Sequence, residues 1–109
     1  MSYVNMQVER RTGRVLAAVA VERARQERKF PEQHLPTGAG HDFAYDAWTA
    51  RRDCDRAAAD GTLTWRDVLL EEVYEALAEE DPAKMRAELI QVAAVAVRII
   101  EDIDRGASK

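Results

Sequence analysis

Glutamates recur at helical spacing in one short stretch of this sequence. WRDVLLEEVYEALAEED holds Glu71, Glu72, Glu75 and Glu79, and the segment after it adds Glu88 and Gln91. Residues at i, i+3 and i+4 are neighbours on a helix, so carboxylates placed this way repel, each pair costing about 0.2–0.5 kcal/mol. Such a face can simply be solvated. Three or four carboxylate oxygens converging from two helices instead make a site for a hard cation, Mg²⁺ or Mn²⁺ before softer metals.

Glu88 separates the two arrangements. Met85, Val92, Val95, Ile99 and Ile103 form an apolar line, and Glu88 projects into the middle of it. A carboxylate on a buried stripe is costly unless it is paired, protonated or bound to a metal. Gln91 lies one turn on, at the edge of the same stripe. If the two segments form an antiparallel hairpin, Glu75 and Glu88 face each other at similar height. Arg86 and Arg23 are the cations available for a salt bridge instead. The sequence favours the metal.

The elements that must position these residues are four helices. The first spans about Val8 to Arg28, with Val8, Val15 and Val19 on one line that continues into Glu22, Gln26 and the neighbouring Lys29. An inward face that turns polar at one end suits a ligand pocket. FPEQHLPTGAG, with two prolines and two glycines, reads as a loop. A second, weaker helix covers about Asp42 to Ala59, with Phe43, Ala47, Ala50, Cys54 and Ala57–Ala58 as its stripe. Thr64 caps the third, supported by Asp67, and Leu63 and Val68 are spaced as a staple across that cap. This helix runs to about Glu79, with Leu69, Leu70, Val73, Tyr74 and Leu77 expected inward and Glu72, Glu75 and Glu79 on another arc. Asp81-Pro82 starts the fourth, which ends near Arg105 before Gly106. A link of two or three residues makes helices three and four an antiparallel hairpin. The expected fold is all-α, a four-helix bundle-like single domain over residues 1–109.

Composition narrows the class of function. The chain has 109 residues, 47% hydrophobic and 33% charged, with 16 basic against 20 acidic residues and a net charge of −4. A dedicated nucleic-acid binder normally shows a basic excess, so no nucleic-acid partner is expected. One cysteine, Cys54, excludes an intramolecular disulfide and a zinc site built on paired cysteines. The longest apolar runs, Val15–Val21 and Val92–Val97, are far shorter than the roughly 20 residues of a membrane helix. MSYVNMQVERRTGR lacks signal-peptide order. A cytoplasmic protein without a membrane partner is expected. Ala93, Ala94, Ala96 and Val97 make helix four apolar on most faces, which calls for a homodimer or homotetramer.

WRDVLLEEVYEALAEEDPAKMRAELIQVAAVAVRII resembles the core of the MazG-like all-α nucleoside triphosphate pyrophosphohydrolases. Their pattern is E-E-x-x-E on one helix and E-x-x-D on the next. Glu71, Glu72 and Glu75 match the first element, and residues 76 to 87 separate it from Glu88. ERARQERKFPEQHLPTG is similar to the first-helix end and loop of small bacterial and phage members, which tend toward R-Q-x-x-K-W-G-x-Q. The likeness covers about residues 15 to 105. It departs in two places: Gln91 stands where the family has Asp, and Phe30-Pro31 where relatives often have Trp-Gly.

The resemblance implies cleavage between the α and β phosphates of a nucleoside triphosphate, giving the monophosphate and pyrophosphate. It implies Mg²⁺, or Mn²⁺, on Glu72, Glu75, Glu88 and Gln91, with Glu71 or Glu72 taking the proton of the attacking water. Arg25, Lys29 and Arg23 become candidates for phosphate oxygens. Gln26, Gln33, His34 and Trp65 complete the substrate set, the last three toward the base. His41 and Tyr74 read as structural. Because an amide brings no charge, Gln91 also leaves open a weak or inactive nucleotide-binding or helical interaction module.

Overall fold

The computed structural model describes residues 3–106, which are all-α, with no strand among them. The helices are α1 Tyr3–Lys29, α2 Ala44–Asp60, α3 Trp65–Leu77 and α4 Pro82–Asp104, with a 3-10 turn, His41–Phe43, leading into α2. All four expected helices are present, with shifted ends. α1 begins five residues before Val8, because a helix exposed along residues 5–10 needs only the absence of a breaker, not an apolar stripe. α3 stops at Leu77, so Glu79 lies beyond the helix that was expected to carry it.

Local chemistry sets most of these ends. Arg28 and Lys29 sit in the last turn of α1, where positive charge complements the helix dipole. α2 closes on Gly61 at φ 74°, a left-handed residue that lets Thr62 N–H reach the Ala57 carbonyl at 2.9 Å. At the start of α3, Asp67 Oδ2 accepts from Thr64 N–H at 3.0 Å and Thr64 Oγ1 accepts from Asp67 N–H at 3.4 Å. This reciprocal box contributes about 1 kcal/mol. Leu63 is exposed, so little staple accompanies it. Asp81 Oδ2 caps α4 through Lys84 N–H at 3.0 Å, with Pro82 as the first helical residue.

The chain gathers into two compact units. One joins the residues up to Pro36 with those from Val97 on, so that α1 and the last turns of α4 belong together. There Thr12 Oγ1 donates to Glu101 Oε2 at 2.9 Å, and Val15 and Val97 are buried. The other unit, Thr37–Ala96, comprises the 3-10 turn, α2, α3 and the first part of α4. In it α2 packs on α3. Gly40 N–H donates to the Leu77 carbonyl at 2.7 Å, satisfying one of the acceptors that the end of α3 leaves open.

The core is small. Val15, Ala76, Val95 and Val97 are the buried hydrophobic residues among those described. Two expectations change here. Val8 and Val19, placed with Val15 on an inward line, are each 42% exposed. On α3 the most buried residue is Ala76, at 1% exposure, and not one of the five large apolar side chains expected inward; Leu70 is exposed. Leu69, Val73, Tyr74 and Leu77 are half-buried. No described helix is long and apolar enough to cross a membrane.

Candidate metal centre

Ala76, the most buried residue of α3, lies one turn from Glu72. Glu72 and Glu75, three residues apart on α3, and Glu88, on the second turn of α4, are all half-buried. One carboxylate oxygen from each lies within 4.8 Å of the others. Mg²⁺ binds oxygen at about 2.1 Å, so two of its ligands stand at most about 4.2 Å apart across the ion. Glutamate's three side-chain torsions can close the remaining gap. A donor set of carboxylates alone suits Mg²⁺, Mn²⁺ or Ca²⁺ and does not suit a thiophilic metal.

The electrostatics favour a cation as well. Burial pushes the Glu72 carboxyl above its ordinary range, and the charges of Glu71 and Glu88 push it further. Glu75 is raised by burial first and then by Glu72, Glu71 and Glu88, with Arg51 of α2 opposing them. In both cases the ionised form is disfavoured as the protein stands, which is the condition a bound cation relieves. Among the described residues, no ion pair reaches Glu72, Glu75 or Glu88. Arg23, one of the two arginines expected to compete for them, is bonded to Glu27 at 3.0 Å and to Gln26 at 3.2 Å. Arg86, the other, is exposed.

The remaining expected ligands and bases fall in different places. Glu71 is half-buried and adds its charge to both Glu72 and Glu75; the Glu71 carboxylate and burial also push the Cys54 thiol of α2 up to about 11. Gln91 is exposed, one turn beyond Glu88. Trp65 is the half-buried first residue of α3.

The other substrate candidates belong to the unit that contains α1. Arg25 holds Glu22 through two bonds, 2.9 and 2.7 Å, which lower the Glu22 carboxyl and raise the guanidinium. Lys29 Nζ stands 5.4 Å from the centre of the Phe30 ring. Gln26 and Gln33 line an open cavity of about 350 Å³ with Arg23, Glu27 and Phe30. His34 is exposed.

Two side chains of α2 went without a role at the carboxylates in the sequence: Cys54, whose thiol Glu71 raises, and Arg51, whose charge lowers Glu75. Cys54 was legible as part of the apolar stripe of α2, so its facing a neighbour was expected. Which glutamate it would meet depends on how α2 and α3 are aligned, and no local pattern encodes that. Family models, curated proteins and solved structures give no match to this chain.

Proposed function

We propose that the protein is a Mg²⁺-dependent nucleoside triphosphate pyrophosphohydrolase, a reading carried by the convergence of Glu72, Glu75 and Glu88. The three glutamates would hold the ion, with Gln91 as a neutral fourth oxygen donor. A divalent ion bound there supplies Lewis acidity at the phosphates and lowers the pKa of a coordinated water. Glu71, or Glu72, takes the proton as the water oxygen attacks the α phosphorus. The α–β bridging bond then breaks, and pyrophosphate leaves the nucleoside monophosphate. Roles for Arg25 and Lys29 at phosphate oxygens, and for Gln26, Gln33, His34 and Trp65 as further substrate contacts, rest on the MazG-like motif resemblance alone. Exposed Leu89, Ile90, Ile100 and Ile103 on α4 support a homodimer or homotetramer, and the lone cysteine suits the cytoplasm.

A screen of NTPs and dNTPs with Mg²⁺ or Mn²⁺, scored by pyrophosphate release, tests the reading. Release that disappears in both Glu75→Gln and Glu88→Gln supports it. No release from any substrate, or activity retained in both variants, overturns it. Gln91 favours a second reading, a catalytically weak or inactive nucleotide-binding or helical interaction module. An inert wild type that Gln91→Asp revives would establish that second reading.

A further inference from the structure

α4 is one continuous helix from Pro82 to Asp104, and it carries a second apolar line beside the one that is packed. Met85, Val92, Val95 and Ile99, with Glu88 among them, are buried or half-buried within the chain. Next to that line, Leu89, Ala93, Ala96, Ile100 and Ile103 recur at alternating steps of four and three residues. This is the spacing with which a helix presents a seam to a partner helix. Leu89, Ile100 and Ile103 are 46%, 39% and 56% exposed, and no charged residue stands on the seam between them. The seam is about 21 Å long at 1.5 Å per residue. A continuous apolar stripe left in water indicates something that covers it.

The two ends of the seam point to its occupant. Arg86 stands one turn before Leu89 and Asp104 one turn after Ile100, so both lie on the seam's own line. They are separated by about five helical turns, or about 27 Å. Both are exposed, and neither side chain enters a hydrogen bond or ion pair among the described residues. Asp104 edges a small cavity with Arg11, Arg14 and Arg105 without pairing to any of them. A second copy laid antiparallel sets Leu89 opposite the partner's Ile100 and Ala93 opposite the partner's Ala96. It also carries Arg86 to the partner's Asp104 at both ends. A parallel copy instead sets Arg86 on Arg86 and Asp104 on Asp104, like charge against like. A stripe whose one end complements its other end is matched by a copy of itself under a two-fold axis.

We propose that this seam pairs α4 with the α4 of a second copy, antiparallel about a two-fold axis between Ala93 and Ala96. This rests on the homo-oligomer reading above and adds the face, the direction and the residues that meet. It stands apart from the nucleotide reading, because Glu88 belongs to the other line of α4.

Mass and cross-linking of the full chain test it, with neither metal nor nucleotide present. The wild type should sediment at micromolar concentration as an even multiple of 12.3 kDa. Ile100→Glu should halve that mass while keeping its helical circular dichroism. Leu35→Glu, at an exposed apolar position off the seam, should leave the mass unaltered. In a Cys54→Ser background, the double variant Leu89→Cys with Ile100→Cys should form a cross-linked dimer under mild oxidation. Facing positions come within the roughly 7 Å between Cα atoms that a disulfide spans. Each single cysteine variant should stay uncross-linked, because residue 89 and its own copy, or residue 100 and its own, are offset by about 16 Å along an antiparallel pair. The cysteine variants decide the matter even where Ile100→Glu fails to fold. A monomeric wild type removes the seam and the oligomer reading together. A multimer that Ile100→Glu leaves whole removes the seam alone. Cross-linking of either single variant, or none in the double, overturns the antiparallel pairing.

Discussion

The end of α1 and the α3–α4 hairpin are both dense in charge, yet they treat it in opposite ways. On α1, Arg25 binds Glu22 and Arg23 binds Glu27, each within one turn of the same exposed helix. Those pairs are local and solvated, so solvent and salt screen them. On the hairpin, Glu72, Glu75 and Glu88 are half-buried with oxygens within 4.8 Å of one another, and burial together with neighbouring carboxylates raises the carboxyls of Glu72 and Glu75. The first region is satisfied as it stands. The second holds carboxylates without an ion pair among the described residues, which makes it the region for which a cation is proposed.

Activity gives the largest expected contrast. Glu88→Gln should lower kcat/KM for pyrophosphate release by about 10³-fold or more, because a carboxylate that holds the ion cannot be replaced by an amide without loss of transition-state charge stabilisation. An equal loss from Glu22→Gln on α1 would erase the distinction between the two regions. Next comes metal affinity. Gln91→Asp should tighten apparent Mg²⁺ binding by roughly tenfold, read as a thermal shift that appears at lower Mg²⁺ concentration. An unchanged titration would place residue 91 outside the site.

A smaller effect is predicted on the apo protein, with a defined pH dependence. The folded-state pKa of Glu72 is raised, so its ionised form destabilises the fold. That penalty is fully present above the raised folded value and disappears as pH falls below the ordinary carboxylate range. Without metal, Glu72→Gln should therefore melt about 2–4 °C higher than wild type at neutral pH, the scale of roughly 0.5 kcal/mol. The difference should vanish under acid conditions, and a variant that melts lower at neutral pH would mean that Glu72 has a compensating cation. With Mg²⁺ present the order should reverse, since the ion stabilises only the carboxylate form.

The smallest effect belongs to α1. Arg25→Ala should lower the melting temperature by no more than about 2 °C, as for an exposed pair within one helix, and should lose even that at high salt. A loss of several degrees would show that α1 is held by its charges in a way that exposure does not suggest.

Much of this was legible in the residues. Thr64, Asp67, Asp81, Pro82, Gly61 and Gly106 fix helix ends through their own backbone or side-chain bonds, so the punctuation of the fold could be placed without tertiary information. Glu75 and Glu88 could be set opposite each other because a short link leaves a hairpin few registers. Of the five apolar residues of α3 expected inward, Leu69, Val73, Tyr74 and Leu77 are half-buried and Leu70 is exposed, while the small Ala76 is the most buried residue of the helix. Glu79 was counted with Glu72 and Glu75 on a helix that ends before reaching it.

The sequence by itself determined which stretches become helices, which residues cap them, and that Glu72, Glu75 and Glu88 are the carboxylates to watch. Periodicity, caps and link length are short-range properties, and these follow from them. Only the tertiary structure decided that Glu71 acts on the Cys54 thiol of α2 as well as on Glu72 and Glu75, that the charge of Arg51 reaches Glu75, and that Tyr45 and Trp48 stand open to solvent on α2. Each of those depends on the alignment and rotation of one helix against another. Packing between helices fixes these, and no single helix pattern contains it.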